Sequence, residues 1–104
     1  MGGVKVHQLG DIVRFDMAAP SKTVFHDAGK LKAQVVGLEP GQCIPPCSMD
    51  HDVVFLVVDG EGKIIVDGEG VPVRPMSWVF VPKECGTRSF EALTRMTILA
   101  TQIG

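Results

Sequence analysis

The stretch GQCIPPCSMDHDVVFLVVDG, residues 41 to 60, carries the pattern that best predicts the fold of this chain. A glycine begins it, two adjacent prolines follow, an apolar run occupies positions 53 to 58, and a second glycine ends it. Proline and glycine favour turns, and a short apolar run between turn residues is typical of a buried β-strand. The stretch resembles one arm of a metal-binding β-hairpin, yet Cys47, Met49 and Val53 stand where imidazoles and a carboxylate would be expected.

The rest of the chain repeats this β-like pattern. Short apolar segments are separated by glycine and proline, and no long segment has the 3.6-residue period of an amphipathic helix. We therefore predict an all-β protein with enough strands to close a barrel or a jelly roll. The predicted strands are residues 4–9, 23–26, 31–38, 52–58, 63–66, 78–81, 87–92 and 96–103.

A short tandem repeat lies in the middle of the chain, where VDGEG at 58–62 recurs as VDGEG at 66–70. Each copy contains an Asp-Gly pair, and glycine readily adopts the positive φ that a tight turn requires. The two copies predict that the strand at 63–66 lies between two turns of a meander. We interpret their four carboxylates as solvated turn residues rather than as a cation site.

Size and charge limit the possible functions. The 104 residues are enough for one small domain, expected to span 1–104. Ten Lys and Arg against twelve Asp and Glu leave no basic face for nucleic acid or an anionic membrane. The apolar run at 53–58 is too short to span a bilayer, and the first residues do not resemble a signal peptide, so we predict a cytoplasmic protein. In that reducing compartment the three cysteines are expected as thiols or ligands.

The spacing within residues 41–60 resembles the first motif of the cupins. That motif runs Gly, five residues, His-x-His, three or four residues, Glu, six residues, Gly. Gly41 and Gly60 match the two glycines, Cys47 and Met49 occupy the histidine positions, and Val53 occupies the glutamate position.

The second cupin motif is matched less well by residues 81–87. Pro82 fits, while Glu84 replaces a glycine, Thr87 replaces the third histidine and Glu91 replaces an asparagine. The resemblance covers about residues 31–103 and rests on the Pro, Gly and strand pattern rather than on the ligands. It implies a cupin jelly-roll barrel of two antiparallel sheets.

The replaced ligands leave two interpretations of the site. A cupin metal is held by imidazole nitrogens and a carboxylate oxygen, and none of the four positions keeps its ligand. In the first interpretation packing has replaced the metal centre, and no cofactor is expected. In the second, Cys47, Met49 and His51 hold a metal with Cys85 as a possible fourth ligand, and this soft donor set favours Cu(I) or Zn.

Strand alternation predicts which side chains share the barrel interior. If residues 47 to 55 form one extended strand, the odd positions Cys47, Met49, His51, Val53 and Phe55 face the same way. His51 could then reach the vacated metal position, or it could stay half-solvated beside a neighbouring carboxylate. A bulge after the two prolines would break this parity. The predicted ligand-binding residues are Cys47, Met49, His51, Val53, Phe55 and Thr87.

These residues favour a protein that binds or senses a small organic molecule, because a small barrel can enclose one such ligand. The alternative is a metal-dependent cupin enzyme that uses Cys47, Met49 and His51. A Cys47–His51 nucleophile is a further alternative, but no third group to orient it is recognisable. Arg74, Lys83 and Arg88 are the cations available to an anionic ligand, and the sequence does not indicate which of them points inward.

The strand at 52–58 is apolar on both faces. Residues 53, 55 and 57 face one way and residues 54, 56 and 58 face the other, so both faces should be buried. The second face could pack against another subunit, as in the homodimers typical of cupins, or between the protein's own sheets. We predict a homodimer.

Overall fold

The computed structural model describes residues 2–47 and 50–104, with the side chains of 46 and 47 left out of the description. The elements follow one another as α1 Leu9–Ile12, β1 Ser21–Ala28, β2 Leu31–Leu38, β3 Cys43–Cys47, β4 Asp52–Asp59, β5 Gly62–Val66, β6 Glu69–Val73, β7 Trp78–Val81, β8 Arg88–Ala92 and β9 Met96–Ile103. In this part of the chain α1 is a single turn, and no helix is long and apolar enough to cross a membrane.

The strands form two antiparallel sheets. The larger has the order β1-β2-β9-β4-β7, and the smaller has the order β3-β8-β5-β6. The jelly-roll fold of two antiparallel sheets is confirmed. Over the described strands, however, no hydrogen-bonded pairing joins the two sheets into a closed barrel.

The core lies between the two sheets. Inward-facing residues of β4 and β9 in the larger sheet pack with residues of β5 and β8 in the smaller one. Phe55 and Phe90 meet edge to face across the gap, with ring centroids 4.9 Å apart. The fully buried side chains include Leu38, Val57, Ile64, Phe90, Met96 and Ile98. This contact between inner faces holds the sheets together and defines the space in which a ligand could lie.

The strand predictions fail mainly at the edges of the fold. Residues 4–9 do not form the predicted strand, because Val4 and Val6 stay exposed and α1 begins at Leu9. The sequence did not predict β3 and β6 as separate strands. Both contain proline, which lacks a backbone donor, and both lie at the edges of the smaller sheet, where a missing donor is tolerated.

The two Asp-Gly pairs have different roles. Asp67 and Gly68, with φ of +49° and +85°, form the two-residue turn between β5 and β6, and this pattern is a type I′ turn. Asp59 and Gly60 instead lie where the chain leaves the larger sheet at β4 and enters the smaller sheet at β5. The predicted meander is therefore correct on one side of β5 and wrong on the other.

Candidate functional site

A cavity lies between the two sheets, close to the Phe55–Phe90 contact. The cavity volume is about 60 Å³, and the cavity is partly open to solvent. The larger sheet contributes Lys22, Lys32, Gln34, Val36, Val53, Phe55, Ala100 and Gln102, and the smaller sheet contributes Ile44, Arg88, Ser89 and Phe90. Apolar side chains form most of the wall, with a few polar groups among them, as is usual for small-molecule sites.

Arg88 is the charged residue buried in this wall. It is the first residue of β8, between β3 and β5, and only 4% of its surface is exposed. Its guanidinium carbon lies 5.8 Å from the centre of the Phe55 ring. Its Nη2 atom is buried without a hydrogen-bond partner among the residues that the structure describes. A buried cation with an unpaired donor is costly, because it has lost water and gained no acceptor.

The other charged residues of the cavity are also basic. Lys22 is exposed and Lys32 is half-buried, while Gln34 and Gln102 add half-buried amides. Within the described part of the lining there are three cations and no carboxylate. The chain as a whole has a net charge of −2, so this positive lining is a local feature of the cavity.

Two of the predicted ligand-binding residues line this cavity. Val53 and Phe55 are consecutive inward-facing residues of β4, with exposures of 3% and 8%. Met49 lies outside the described residues, and so does the side chain of Cys47, whose backbone is the last residue of β3.

His51 is not among the residues that line the cavity. It lines an adjoining pocket beside Gly104 and the β1–β2 turn, where a Cβ on Gly104 would overlap the imidazole, and this pocket shares Lys32 and Gln102 with the cavity. The predicted parity does not extend back to this residue, because β3 belongs to the smaller sheet and β4 to the larger one. The chain changes sheets between Cys47 and Asp52, so residues 47 to 55 do not form one continuous strand.

Thr87 and Cys85 belong to a loop that is fastened to the β5–β6 turn. Asp67 accepts a hydrogen bond from the Thr87 backbone N–H through Oδ1 at 2.9 Å, and its own N–H donates to the Thr87 carbonyl at 3.0 Å. Cys85 is half-buried, and its Sγ lies 3.6 Å from the Thr87 carbonyl oxygen and 3.9 Å from Asp67 Oδ2. The Thr87 side chain is exposed and is not among the lining residues. The Asp67 carboxylate thus holds the loop, rather than being only a solvated turn residue.

The described residues do not fit a cupin-type metal centre. Val53, at the glutamate position, is part of the packed core, and Thr87, at the third histidine position, points to solvent. Over the described residues, no three His, Cys, Asp or Glu side chains come close enough to hold a metal ion. His51 and Cys85, the described members of the soft-ligand set, have different neighbours, at the Gly104 pocket and the Asp67 turn respectively.

Sequence reasoning left Arg88 among three candidate cations and did not identify Lys32, Gln34 and Gln102. The signal for Arg88 was its position in a strand directly before the apolar pair at Phe90 and Ala92. Alternation puts residues 88, 90 and 92 on one face, and the core packing of Phe90 makes that face the interior. The lysine and the two glutamines lie on β2 and β9, whose inward faces could be assigned only once their pairing was known.

Comparison with known structures finds the same fold in several proteins. An RmlC-like cupin protein from Desulfovibrio desulfuricans is 25% identical, with 96% of each chain covered and a TM-score of 0.89. A conserved protein with a double-stranded β-helix domain from Klebsiella pneumoniae is 13% identical over 96% of this chain and 90% of its own, with a TM-score of 0.88.

Another neighbour, with a lower TM-score, is an enzyme. The G106A mutant of salicylate 1,2-dioxygenase from Pseudoaminobacter salicylatoxidans is 17% identical over 84% of this chain and 27% of its own, with a TM-score of 0.78. No family model matches the sequence, and the search of curated proteins gives no match. The structural likeness therefore establishes the fold, while the function has to be argued from the cavity.

Proposed function

The chain is a member of the cupin superfamily, and from this premise we propose that it binds a small organic molecule in the cavity between its two sheets. The observation that carries the proposal is the cavity itself, an apolar space with a small number of polar groups at its wall and mouth. Binding or sensing, rather than metal-dependent turnover, is the function that we assign to it.

The residues at the family's metal positions support binding over metal chemistry. A valine side chain has no donor atom and the exposed Thr87 hydroxyl is a weak neutral ligand, so neither position supplies the carboxylate oxygen or imidazole nitrogen that holds Fe, Mn or Ni. The polar side chains that line the cavity carry amides, ammonium groups, a guanidinium and the Ser89 hydroxyl. Such groups orient an organic ligand by hydrogen bonds and charge.

A thermal-shift screen tests this proposal. Small metabolites and divalent metals are added separately, because a ligand that binds only the folded state raises the melting temperature by mass action. We expect organic ligands to raise it, and we expect Fe, Mn and Ni to give neither stabilisation nor turnover. Strong stabilisation by one of these metals alone, together with turnover, would establish the enzyme instead.

A cavity-filling variant locates the binding site. Ala100 lies on the inner face of β9 and is 4% exposed, so Ala100→Leu places three more carbons in the cavity. The substitution should abolish the ligand-induced rise in melting temperature. The overpacking itself should lower the free energy of unfolding by about 1–3 kcal/mol. Ala28→Leu, at the exposed end of β1, is the matched control and should keep the shift. If the ligand still raises the melting temperature of Ala100→Leu, the binding site lies outside this cavity.

We also propose that the protein forms a homodimer through the outer face of the larger sheet. On this face Trp78 and Phe80 of β7 stand 64% and 49% exposed beside Val54, Leu56 and Leu99. No charged side chain is among these five residues, so a second copy of the same apolar patch is self-complementary without any pairing of charges. A cytoplasmic location remains a prediction from the sequence.

The exposed area of Trp78 and Phe80 is smaller than the area that a stable dimer interface buries. The two aromatic side chains together offer on the order of 200 Å², about a quarter of the roughly 800 Å² that each partner of a stable interface buries. They would act as central anchors, and neighbouring residues would supply the rest. Sedimentation should give a dimer for the wild type and a monomer for Trp78→Glu, while Leu93→Glu, exposed elsewhere, should remain dimeric. A wild-type monomer at micromolar concentration would exclude the dimer.

A further inference from the structure

We infer that the ligand of this cavity is a small monocarboxylate with a short apolar tail, and that Arg88 is the residue that binds its carboxylate. The inference rests on the proposed function, since it names the chemical class of the molecule that the cavity holds. It depends on three observations: the unpaired donor of Arg88, the charge of the lining and the size of the space.

The first observation is that Arg88 is buried without enough partners of its own. Its Nη2 atom has no acceptor among the described residues, although 96% of the residue is shielded from solvent. A guanidinium presents its N–H groups as a planar fork that matches the two oxygens of a carboxylate. A bound carboxylate would therefore satisfy the donor and neutralise the charge at once.

The second observation is the charge of the lining. Lys22 is exposed and Lys32 is half-buried, whereas Arg88 is buried, and the described lining contains no acidic side chain. A cationic ligand would meet three positive charges with no counter-charge. An anion is attracted by the two more exposed lysines and bound by the buried guanidinium.

The third observation is the space around the guanidinium. Phe55 and Phe90 line the cavity with Val36, Val53 and Ala100, and the cavity volume of about 60 Å³ favours a small ligand with a short apolar chain. A singly charged carboxylate is neutralised by the buried Arg88 alone, whereas a doubly charged phosphate ester would also need Lys22 and Lys32, which are exposed and half-buried. A carboxylate whose tail packs on the phenyl rings uses both the apolar wall and the unpaired donor.

Titration calorimetry with matched probes tests the inference. Straight-chain monocarboxylates of two to eight carbons are compared with their uncharged amides, and inorganic phosphate is included. We expect the carboxylates to bind the wild type, to bind better than the amides and to compete with one another.

Arg88→Met should weaken carboxylate binding by roughly 10- to 100-fold, because a hydrogen bond to a charged group is lost. Arg88→Lys should bind with intermediate affinity, because it keeps the charge and loses the fork.

The controls separate this inference from the broader proposal. Lys83→Met and Arg74→Met remove exposed cations outside the cavity lining and should leave the affinity unchanged. Circular dichroism and melting curves establish that each variant is folded. If neutral amides bind the wild type and Arg88→Met equally well, the cavity binds ligands but the inference is overturned. If none of the carboxylates binds, or if phosphate alone binds, the inference is also overturned.

Discussion

Two arginines close together in the sequence show how differently this fold treats the same side chain. Arg95 lies directly before β9 with its side chain 58% exposed, and its Nε donates a 2.6 Å hydrogen bond to Glu39 while its guanidinium stacks on Phe15 at 4.1 Å. Arg88 begins β8, is 4% exposed, and has a buried Nη2 with no partner in the described chain.

The difference supports the proposal that Arg95 serves the fold and Arg88 a ligand. Arg95 finds its acceptor and its aromatic partner within the chain, and these contacts hold the segment at Phe15 beside the turn before β9. The Nη2 atom of Arg88 has no acceptor among the described residues, although a buried donor loses more by lacking one than an exposed donor does. Buried polar groups without a partner are typical of functional sites, where a ligand can supply the missing contact.

The largest expected effect comes from disturbing the close packing around Arg95. Gly60 has φ of +87°, and a Cβ at this position would overlap the Arg95 carbonyl oxygen. Gly60→Ala should lower the free energy of unfolding by about 3 kcal/mol or more, because it adds a backbone overlap to the strain of a positive φ. Chemical denaturation measures the change.

Gly68→Ala is the matched control for this prediction. Gly68 has nearly the same φ, +85°, and a Cβ there would meet no atom within 4 Å. It should cost only about 1–2 kcal/mol, the strain of the left-handed conformation alone. Equal losses in the two variants would show that the packing at Arg95 adds nothing.

The next prediction reverses the usual sign of a core substitution. Arg88→Met should stabilise the protein without ligand by about 1 kcal/mol, because an unsatisfied buried donor costs about 1–3 kcal/mol and the lost contact with Phe55 offsets part of the gain. Arg95→Met should instead destabilise it slightly, since it removes a hydrogen bond and an aromatic contact. Melting curves of the two variants should move in opposite directions. A fall in the melting temperature for Arg88→Met would mean that the arginine serves the fold.

The sequence predicted the strands better than the contacts between them. Seven of the eight predicted strands form, because their apolar periodicity reflects burial on the inner faces. It did not predict that the chain changes sheets between β3 and β4, so the single strand assumed for residues 47 to 55 is wrong. Sequence alternation holds within one strand and carries no information across a connection. The burial of Arg88 likewise depends on how β8 faces β4 across the cavity.

The smallest expected effect concerns the ion pair between Arg95 and Glu39. The hydrogen bond from Arg95, together with its positive charge, holds the pKa of Glu39 below the ordinary value of 4.5. A lowered pKa in the folded state means that the pair stabilises the protein above about pH 4.5, and that this contribution is lost as the pH falls through the folded-state pKa. Glu39→Gln should therefore be slightly less stable than the wild type at pH 7. This difference in stability should become smaller below pH 4.5 and with added salt.

Melting curves across pH 3–7 measure the difference in stability. The control is Glu84→Gln, which removes an exposed carboxylate in the loop before Cys85. A difference that does not change with pH would assign the effect of Glu39 to packing rather than to its charge.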